Sequence, residues 1–289
     1  MAATPLIRLG NQFPKRQVWA KCEFVARSGS FKIRGAEHLL EHLSKTSTCR
    51  ELMVPSMGNT ALGAAVAGRE RGFRVTAVVP PTIARAKEEK LKALNVELVK
   101  VTGGGSALLA NAERLAPERG AYFMHPHLDR AWTNGYQAIA SEILEGLPDC
   151  RSLVFPVGGG GLLMGLTALL SKRQNSLGLY GVEPYNYPTY APFTHTRSTT
   201  IADGLILENA HPIVKERITG MGIRIELVRE DAIRDALRGL YEKHALVLEP
   251  SSAIALAFIQ EHVNLPEPIC AILTGRNITE EDFARLVAG

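Results

Sequence analysis

No apolar run in the 289-residue sequence approaches the roughly 20 residues needed to span a bilayer. The N-terminus, Met1-Ala-Ala-Thr-Pro-Leu6, lacks the basic stretch followed by an apolar one that marks an export leader. Membrane insertion and export are not expected, and the reading is a cytoplasmic protein. Cysteine is scarce: Cys22, Cys49, Cys150 and Cys270 are scattered, with no Cys-x-x-Cys and no paired histidine spacing. That pattern excludes a zinc site of ordinary spacing and fits reduced, mostly buried thiols, so no metal is expected. Basic residues do not gather either. Net charge is +4, and Lys87, Lys90 and Lys92 alternate with Glu88 and Glu89 as on a solvated helix face. No nucleic-acid partner is expected without a clustered basic footprint. Internal repeats, low-complexity stretches and flexible linkers are all missing. What is present, 46% hydrophobic and 21% charged residues with 26 glycines, is the composition of an ordinary soluble globular protein. The length suits one large domain or two intimate ones.

From Leu52 onward, short β-type runs alternate with helical patterns: Leu52 to Pro55 then Thr60 to Arg71, Arg74 to Val79 then Ala84 to Leu94, Glu97 to Val101 then Ala107 to Arg119. This is the signature of βαβ units and a parallel sheet. A strand over Ala121 to Met124, a helix over Gly135 to Leu147, a strand over Leu153 to Val157 and a helix over Leu162 to Lys172 continue it. Between Pro184 and Asp203 the pattern dissolves into Pro, Thr, Tyr and Asn, as a functional loop beside an active site would.

Gly158-Gly159-Gly160-Gly161 falls between a strand and a helix, where glycines let backbone approach an anion and the helix N-terminus offers free N–H donors. It reads as a phosphate cradle or, equally, as a flexible turn. No Lys-Ser or Lys-Thr follows it, and no acidic residue stands where a dinucleotide fingerprint wants one, since Glu183 is followed by Pro184. A monophosphate is the anion that remains. Lys32 sits in Ser28-Gly29-Ser30-Phe31-Lys32-Ile33-Arg34-Gly35-Ala36, a small-residue turn leading into a helix. By itself it reads as a solvated lysine; near an aromatic ring and a phosphate cradle, its amine can also form a Schiff base.

Three segments together carry a resemblance: Gly29-Ser30-Phe31-Lys32 with Arg34-Gly35-Ala36, Ser56-Met57-Gly58-Asn59-Thr60, and Pro156-Val157 with Gly158 to Gly161 and Leu162-Leu163. In order and spacing they resemble the fold type II (tryptophan synthase beta-like) family of pyridoxal-phosphate (PLP) enzymes. That family includes threonine and serine dehydratases, serine racemase, cysteine synthase and threonine synthase. The likeness runs from Thr4-Pro5-Leu6 through Gly181-Val182-Glu183-Pro184, Ile201-Ala202-Asp203-Gly204 and Glu249-Pro250-Ser251-Ser252 to Leu273-Thr274-Gly275-Arg276-Asn277. It implies an α/β protein in two parts with parallel-rich twisted sheets flanked by helices. The parts would be a large PLP-binding domain, residues 1–51 and 135–289, and a small inserted domain, residues 52–134, with the cofactor between them.

The resemblance also implies roles. Lys32 would hold PLP and, once displaced by substrate, remove the α-proton. Phe31, Asn59, Gly158, Gly159, Gly160, Gly161, Leu162 and Thr274 would complete the cofactor site. Asn59 would meet the phenolic oxygen, the glycines the phosphate, and the Thr274 hydroxyl the ring nitrogen. Ser56, Met57, Gly58, Asn59, Thr60 and Tyr136 would face the substrate, with Ser56, Asn59 and Thr60 gripping its carboxylate. A neutral hydroxyl stabilises a pyridinium less than a carboxylate would, which favours prompt loss of a β-leaving group.

The second half resembles dehydratases most, through Thr200-Ile201-Ala202-Asp203-Gly204, Leu248 to Ser251 and Gly135 to Ile143. A small amino-acid substrate and an ammonia-lyase reaction follow from that likeness. Departures keep replacement chemistry open: Thr60 stands where dehydratases carry His and resembles the cysteine and threonine synthases. Met57 replaces the serine that the racemase uses on the face opposite the lysine, and a thioether cannot exchange protons. Arg276 replaces a small residue and reads as a surface salt-bridge former or as a grip on a second acidic group. Thr199 and Thr200 replace the acidic side chain that precedes a cation site in some relatives. His125 and His127 lack a third ligand and read as structural, and Asp203 and Glu249 read as loop anchors. The likeness makes a homodimer the default and, from where the motifs begin and end, predicts no regulatory domain.

Overall fold

The computed structural model describes residues 2–172 and 177–288. In chain order its elements begin with β1 (Leu6–Arg8), β2 (Val18–Cys22), α1 (Lys32–Thr46), β3 (Glu51–Pro55), α2 (Asn59–Arg71), β4 (Arg74–Val79), α3 (Arg85–Ala93), β5 (Glu97–Lys100), α4 (Gly105–Glu118), β6 (Tyr122–Phe123) and α5 (Arg130–Thr133). They continue with α6 (Gln137–Gly146), β7 (Ser152–Pro156), α7 (Gly161–Leu170), β8 (Gly178–Pro184), α8 (Pro212–Gly220), β9 (Arg224–Val228), α9 (Glu230–His244), α10 (Pro250–Glu261), β10 (Ile269–Leu273) and α11 (Glu280–Ala288). The chain divides into two compact units, residues 26–136 and residues 2–25 with 137–288.

The first unit is built on a parallel four-stranded sheet in the order β5-β4-β3-β6. Residues Val75 to Val79 of β4 are all buried, as expected of a strand covered on both faces, which is why its sequence runs apolar instead of alternating. Helices α1 and α2 pack on each other, and α1 also meets α5. That packing sets the boundary of this unit at residue 26, where the sequence pattern placed it at 52. The alternation starts only at Leu52, yet α1 buries Ile33, Ala36, Leu39, Leu40 and Leu43, and it has α2 and α5 as partners within this unit.

The second unit carries a six-stranded sheet in the order β1-β2-β10-β7-β8-β9, parallel apart from the β1–β2 pair. β2 pairs with β10, so the two ends of the chain share one sheet. Its core is centred on α10, buried from Pro250 through Ile259, and on the fully buried β10. A helix apolar all round belongs in the interior. Lys21 on β2 is also buried, and it donates to Glu142 Oε2 and to the Thr4 carbonyl, each at 2.5 Å. Pairing of this kind is what allows a lysine to remain in a core. Between Pro184 and the short 3-10 turn Asp203–Leu205 the chain has neither helix nor strand, as the composition predicts.

Candidate active site

In the first unit, α1 starts at Lys32 because the preceding residues cannot continue a helix backward. Gly29 lies at φ 75°, in the left-handed region, and the Ser28 hydroxyl donates to the Ser30 carbonyl at 3.1 Å. Lys32 is half-buried, with Nζ 4.9 Å from the centre of the Phe31 ring. Phe31 in turn rests on Tyr136, centroids 4.8 Å apart and planes at 54°. Tyr136 differs from expectation. It is fully buried, its hydroxyl receives the Trp132 indole N–H at 2.5 Å, and burial pushes its phenol well above the ordinary range. A ring committed to Phe31 and Trp132 supports the lysine turn from below and does not present a polar group to a substrate.

The backbone of this turn lies against α2. A Cβ built on Gly63 would stand 2.8 Å from the Lys32 carbonyl carbon and 2.9 Å from the Ile33 nitrogen, closer than real side chains approach. Lys32 is thereby brought beside the start of α2, one turn before Gly63. There Ser56 Oγ accepts the backbone N–H groups of Gly58, at 2.8 Å, and Ala61, at 3.2 Å, which leaves its O–H to donate outward. Gly58, at φ 134°, precedes the helix and supplies no side-chain cap, and no acidic residue occupies the first turn. Asn59 is half-buried and Thr60 buried at that mouth. The last turn carries Arg69 and Arg71, so the helix C-terminus is compensated while its N-terminus keeps its positive potential. Met57, expected among the substrate contacts, packs against the apolar cluster of Met53, Val78, Leu108, Ala112 and Ala116.

In the second unit, β7 runs into the glycine segment and α7 begins at Gly161 without a side-chain cap. Gly160 is left-handed at φ 87°, and a Cβ there would stand 2.6 Å from Val214. A Cβ on Gly158 would meet the Leu205 Cα at 3.0 Å. Leu162 is buried beneath them. The Asp203–Leu205 turn is held by the Gly204 N–H donating to Ser251 Oγ at 3.1 Å. Thr274 is buried just past β10, where the Gly275 N–H donates to Ser252 Oγ and the Asn277 N–H to Glu249 Oε1 at 2.8 Å. Glu249 thus anchors a loop, as read from the sequence. The glycine segment and Thr274 both follow the C-terminal ends of parallel strands, where α/β sheets bind ligands.

These residues suit a phosphorylated cofactor. The glycine segment is a cradle that side chains would fill, at an uncapped helix N-terminus. Beside Lys32, the buried Ser30 Oγ finds no hydrogen-bond partner among the described residues, which leaves a polar atom for a bound group to engage. Three of the four thiols are poor nucleophiles where they lie: burial raises Cys22 to about 12 and Cys150 to about 11, and pushes Cys270 well above the ordinary range, while Cys49 is half-buried. Arg276 is exposed. His125 accepts the His127 and Leu128 backbone N–H groups through Nδ1, a loop-forming role. Among the described residues, no group of three or more His, Cys, Asp or Glu is placed to hold a metal ion, and no helix is long and apolar enough to cross a membrane.

Sequence reasoning passed over Glu183, because Pro184 after it spoiled a dinucleotide reading. It ends β8 almost fully buried, and its carboxylate accepts the backbone N–H groups of Thr189, Tyr190 and Ala191 at 3.0 Å, which folds back the start of the 185–202 segment. Burial raises its pKa, against the lowering effect of those N–H groups and of Arg197. The native state therefore keeps this proton to higher pH than the unfolded chain does. The associated stability is complete below the ordinary carboxylate pKa and is lost as pH rises through the raised one. Glu183→Gln should flatten that fall in unfolding midpoint between mildly acidic and neutral pH; an unchanged slope would contradict a raised pKa at this carboxyl.

Curated relatives and solved structures match the chain along most of its length. The L-threonine ammonia-lyase of Thermotoga maritima is 28% identical over 279 residues, spanning 94% of this chain and 70% of that protein. The catabolic L-threonine dehydratase of Staphylococcus aureus is 28% identical over 294 residues, spanning 95% of this chain and 84% of its own. The processed form of threonine deaminase isoform 2 from Solanum lycopersicum superposes with a TM-score of 0.88 at 25% identity, over 99% of this chain and 83% of that one. The family of pyridoxal-phosphate dependent enzymes matches residues 1–275, and with the lysine turn, the α2 mouth and the glycine segment in place, the chain belongs to that family and uses PLP.

Proposed function

We propose that the protein eliminates water from a small β-hydroxy amino acid and releases a 2-oxo acid and ammonia. The observation that carries this reading is the match of two threonine-deaminating relatives across at least 94% of the chain. Lys32 is the residue assigned to hold the cofactor, with Gly158 to Gly161 and Leu162 for the phosphate, Asn59 for the phenolic oxygen and Thr274 for the ring nitrogen. When bound, PLP holds the substrate nitrogen and accepts the electron pair of the broken α-C–H bond. The chain supplies the rest. The positive N-terminus of α2 and the Ser56 O–H orient the carboxylate. The Lys32 amine, set against the Phe31 face, takes the α-proton. The β-hydroxyl then leaves with a proton as water. The enamine that departs takes up one water and loses ammonia, so the water lost is regained and the amino acid ends as ammonia and a 2-oxo acid that carries neither the amino nor the β-hydroxyl group.

Thr60 favours a second reading, replacement of the β- or γ-substituent by an added nucleophile. The two are separated by incubating the protein with L-serine, L-threonine and their O-acetyl and O-phospho forms, and assaying 2-oxo acid with and without a thiol. Oxo acid from a free hydroxy amino acid supports elimination; turnover only with the thiol present refutes it. We assign the protein to the cytoplasm, consistent with its free thiols, and to a homodimer, which sedimentation of the holoenzyme would check.

A further inference from the structure

Glu183 ends β8 with 1% of its surface exposed, and no step of the elimination uses it. A carboxyl group taken out of water needs donors. It has them in the backbone N–H groups of Thr189, Tyr190 and Ala191, each at 3.0 Å. Two of these three residues reach on to the elements that press against the glycine segment. The Thr189 hydroxyl donates to the Leu207 carbonyl at 3.1 Å, two residues past Leu205, whose Cα a Cβ on Gly158 would meet at 3.0 Å. The Tyr190 hydroxyl receives the His211 N–H at 3.3 Å, and His211 leads into α8, where Val214 leaves no room for a side chain on Gly160. The main chain closes the circuit from the other side. β7 and β8 pair as far as Pro156 and Val182, and the Val157 N–H donates to the Val182 carbonyl at 2.9 Å, one residue before Gly158. Four glycines have no side chains with which to anchor themselves, so the shape of the segment is set by what leans on it.

We propose that Glu183 is a positioning residue for the phosphate cradle, acting through Thr189 and Tyr190 to hold the Leu205 turn against Gly158 and the start of α8 against Gly160. The ligand it serves is the phosphate group of the cofactor, and this rests on the reading of residues 158–161 as the cradle. Phosphate binding and the fold of residues 189–211 are then coupled, and the coupling runs both ways. Tyr190→Phe and Thr189→Val each cut one tether, removing a hydroxyl while keeping the shape of the side chain. Glu183→Gln keeps the size of the hub but turns one acceptor oxygen into a donor that faces N–H groups.

The full chain, stripped of cofactor, is titrated with PLP and with pyridoxal, which lacks the phosphate, by the change in cofactor absorbance. Each of the three variants should raise the PLP dissociation constant about 3- to 10-fold, the range for one lost hydrogen bond, with pyridoxal within about 2-fold of wild type. Ser152→Ala is the control for a merely structural loss. It removes a hydroxyl that donates to the Pro266 carbonyl at 2.7 Å, at the opposite end of β7, and should lower the unfolding midpoint while leaving the ratio of the two constants unchanged. In wild type, PLP should slow hydrogen exchange at residues 189–191 about 5-fold more than pyridoxal does. Equal loss of PLP and pyridoxal binding in the three variants, or no loss of either, overturns the proposal, as does exchange at 189–191 that responds equally to both. Gly159→Asp, which sets a negative charge inside the segment, tells the two possible failures apart. If it weakens PLP no more than pyridoxal, the cradle reading itself fails; if it weakens PLP alone while the tether variants do not, the cradle stands and only the role of Glu183 falls.

Discussion

Lys32→Ala is expected to leave a folded protein that no longer retains PLP through dialysis and turns over hydroxy amino acids at least about 10³-fold more slowly. The fold should survive because Lys32 opens α1, and its backbone, not its side chain, makes the tight contact with α2. What the truncation removes is a half-buried amine over the Phe31 ring. The same amine is asked to do two things, hold the cofactor and take the α-proton, so no neighbour can rescue one function while the other is lost. Borohydride reduction of the loaded wild-type enzyme, followed by peptide mass analysis, should place a pyridoxyl group on Lys32. A Lys32→Ala protein that still acquires a covalent pyridoxyl group at another lysine would refute the assignment.

Gly63→Ala should damage the same site from behind. On helix propensity alone the change would stabilise α2 by about 1 kcal/mol. Against that, the new methyl would stand 2.8 Å from the Lys32 carbonyl carbon, and backbone cannot rotate away as a side-chain end can. Overpacking of this kind costs about 1–3 kcal/mol, and displacing a catalytic group by about 1 Å can cost about 10²-fold in rate. The expected result is an unfolding midpoint lower by ~5 °C, with reduced cofactor retention and turnover. Gly68→Ala, on the same helix, is the control. There a Cβ would stand 3.1 Å from the Phe73 carbonyl oxygen, so the same propensity gain meets a milder approach. Equal midpoints for the two variants would mean that α1 and α2 are not as tightly apposed at Gly63 as their backbones indicate.

The alternation from Leu52 to Lys172 was legible because strands and helices write different periods into the chain, and β3 to β7 with α2, α3, α4, α6 and α7 follow from it with ends displaced by no more than two residues. Much of the site was legible too. A strand, a run of glycines and a helix read equally as an anion cradle or a flexible turn, and Lys32 after Ser28, Gly29 and Ser30 reads alone as a solvated lysine; the company of the other motifs made both candidates. Other assignments depended on neighbours that no local pattern names. Lys87 sits in a window of alternating charges that reads as solvated. Its burial follows from Gly58, some thirty positions earlier, which offers no side chain of its own to fill the space. Tyr136 has the hydroxyl of a substrate contact, but Trp132 and Phe31 claim both its ends. Glu183 lost its dinucleotide reading to Pro184, and it is anchored by backbone N–H groups six to eight residues on, whose direction only the folded loop sets.

By itself, then, the order and spacing of residues determined the α/β class through its periods and the cofactor family through the resemblance of several motifs, and that resemblance names Lys32 as the candidate anchor. The tertiary structure alone decided that α1 belongs with α2 and α5, that Tyr136 supports the site without facing it, and that one lysine of α3 is buried against the Gly58 turn. Those outcomes are set by which surfaces exclude water when helices pack, and that depends on partners far apart in the chain.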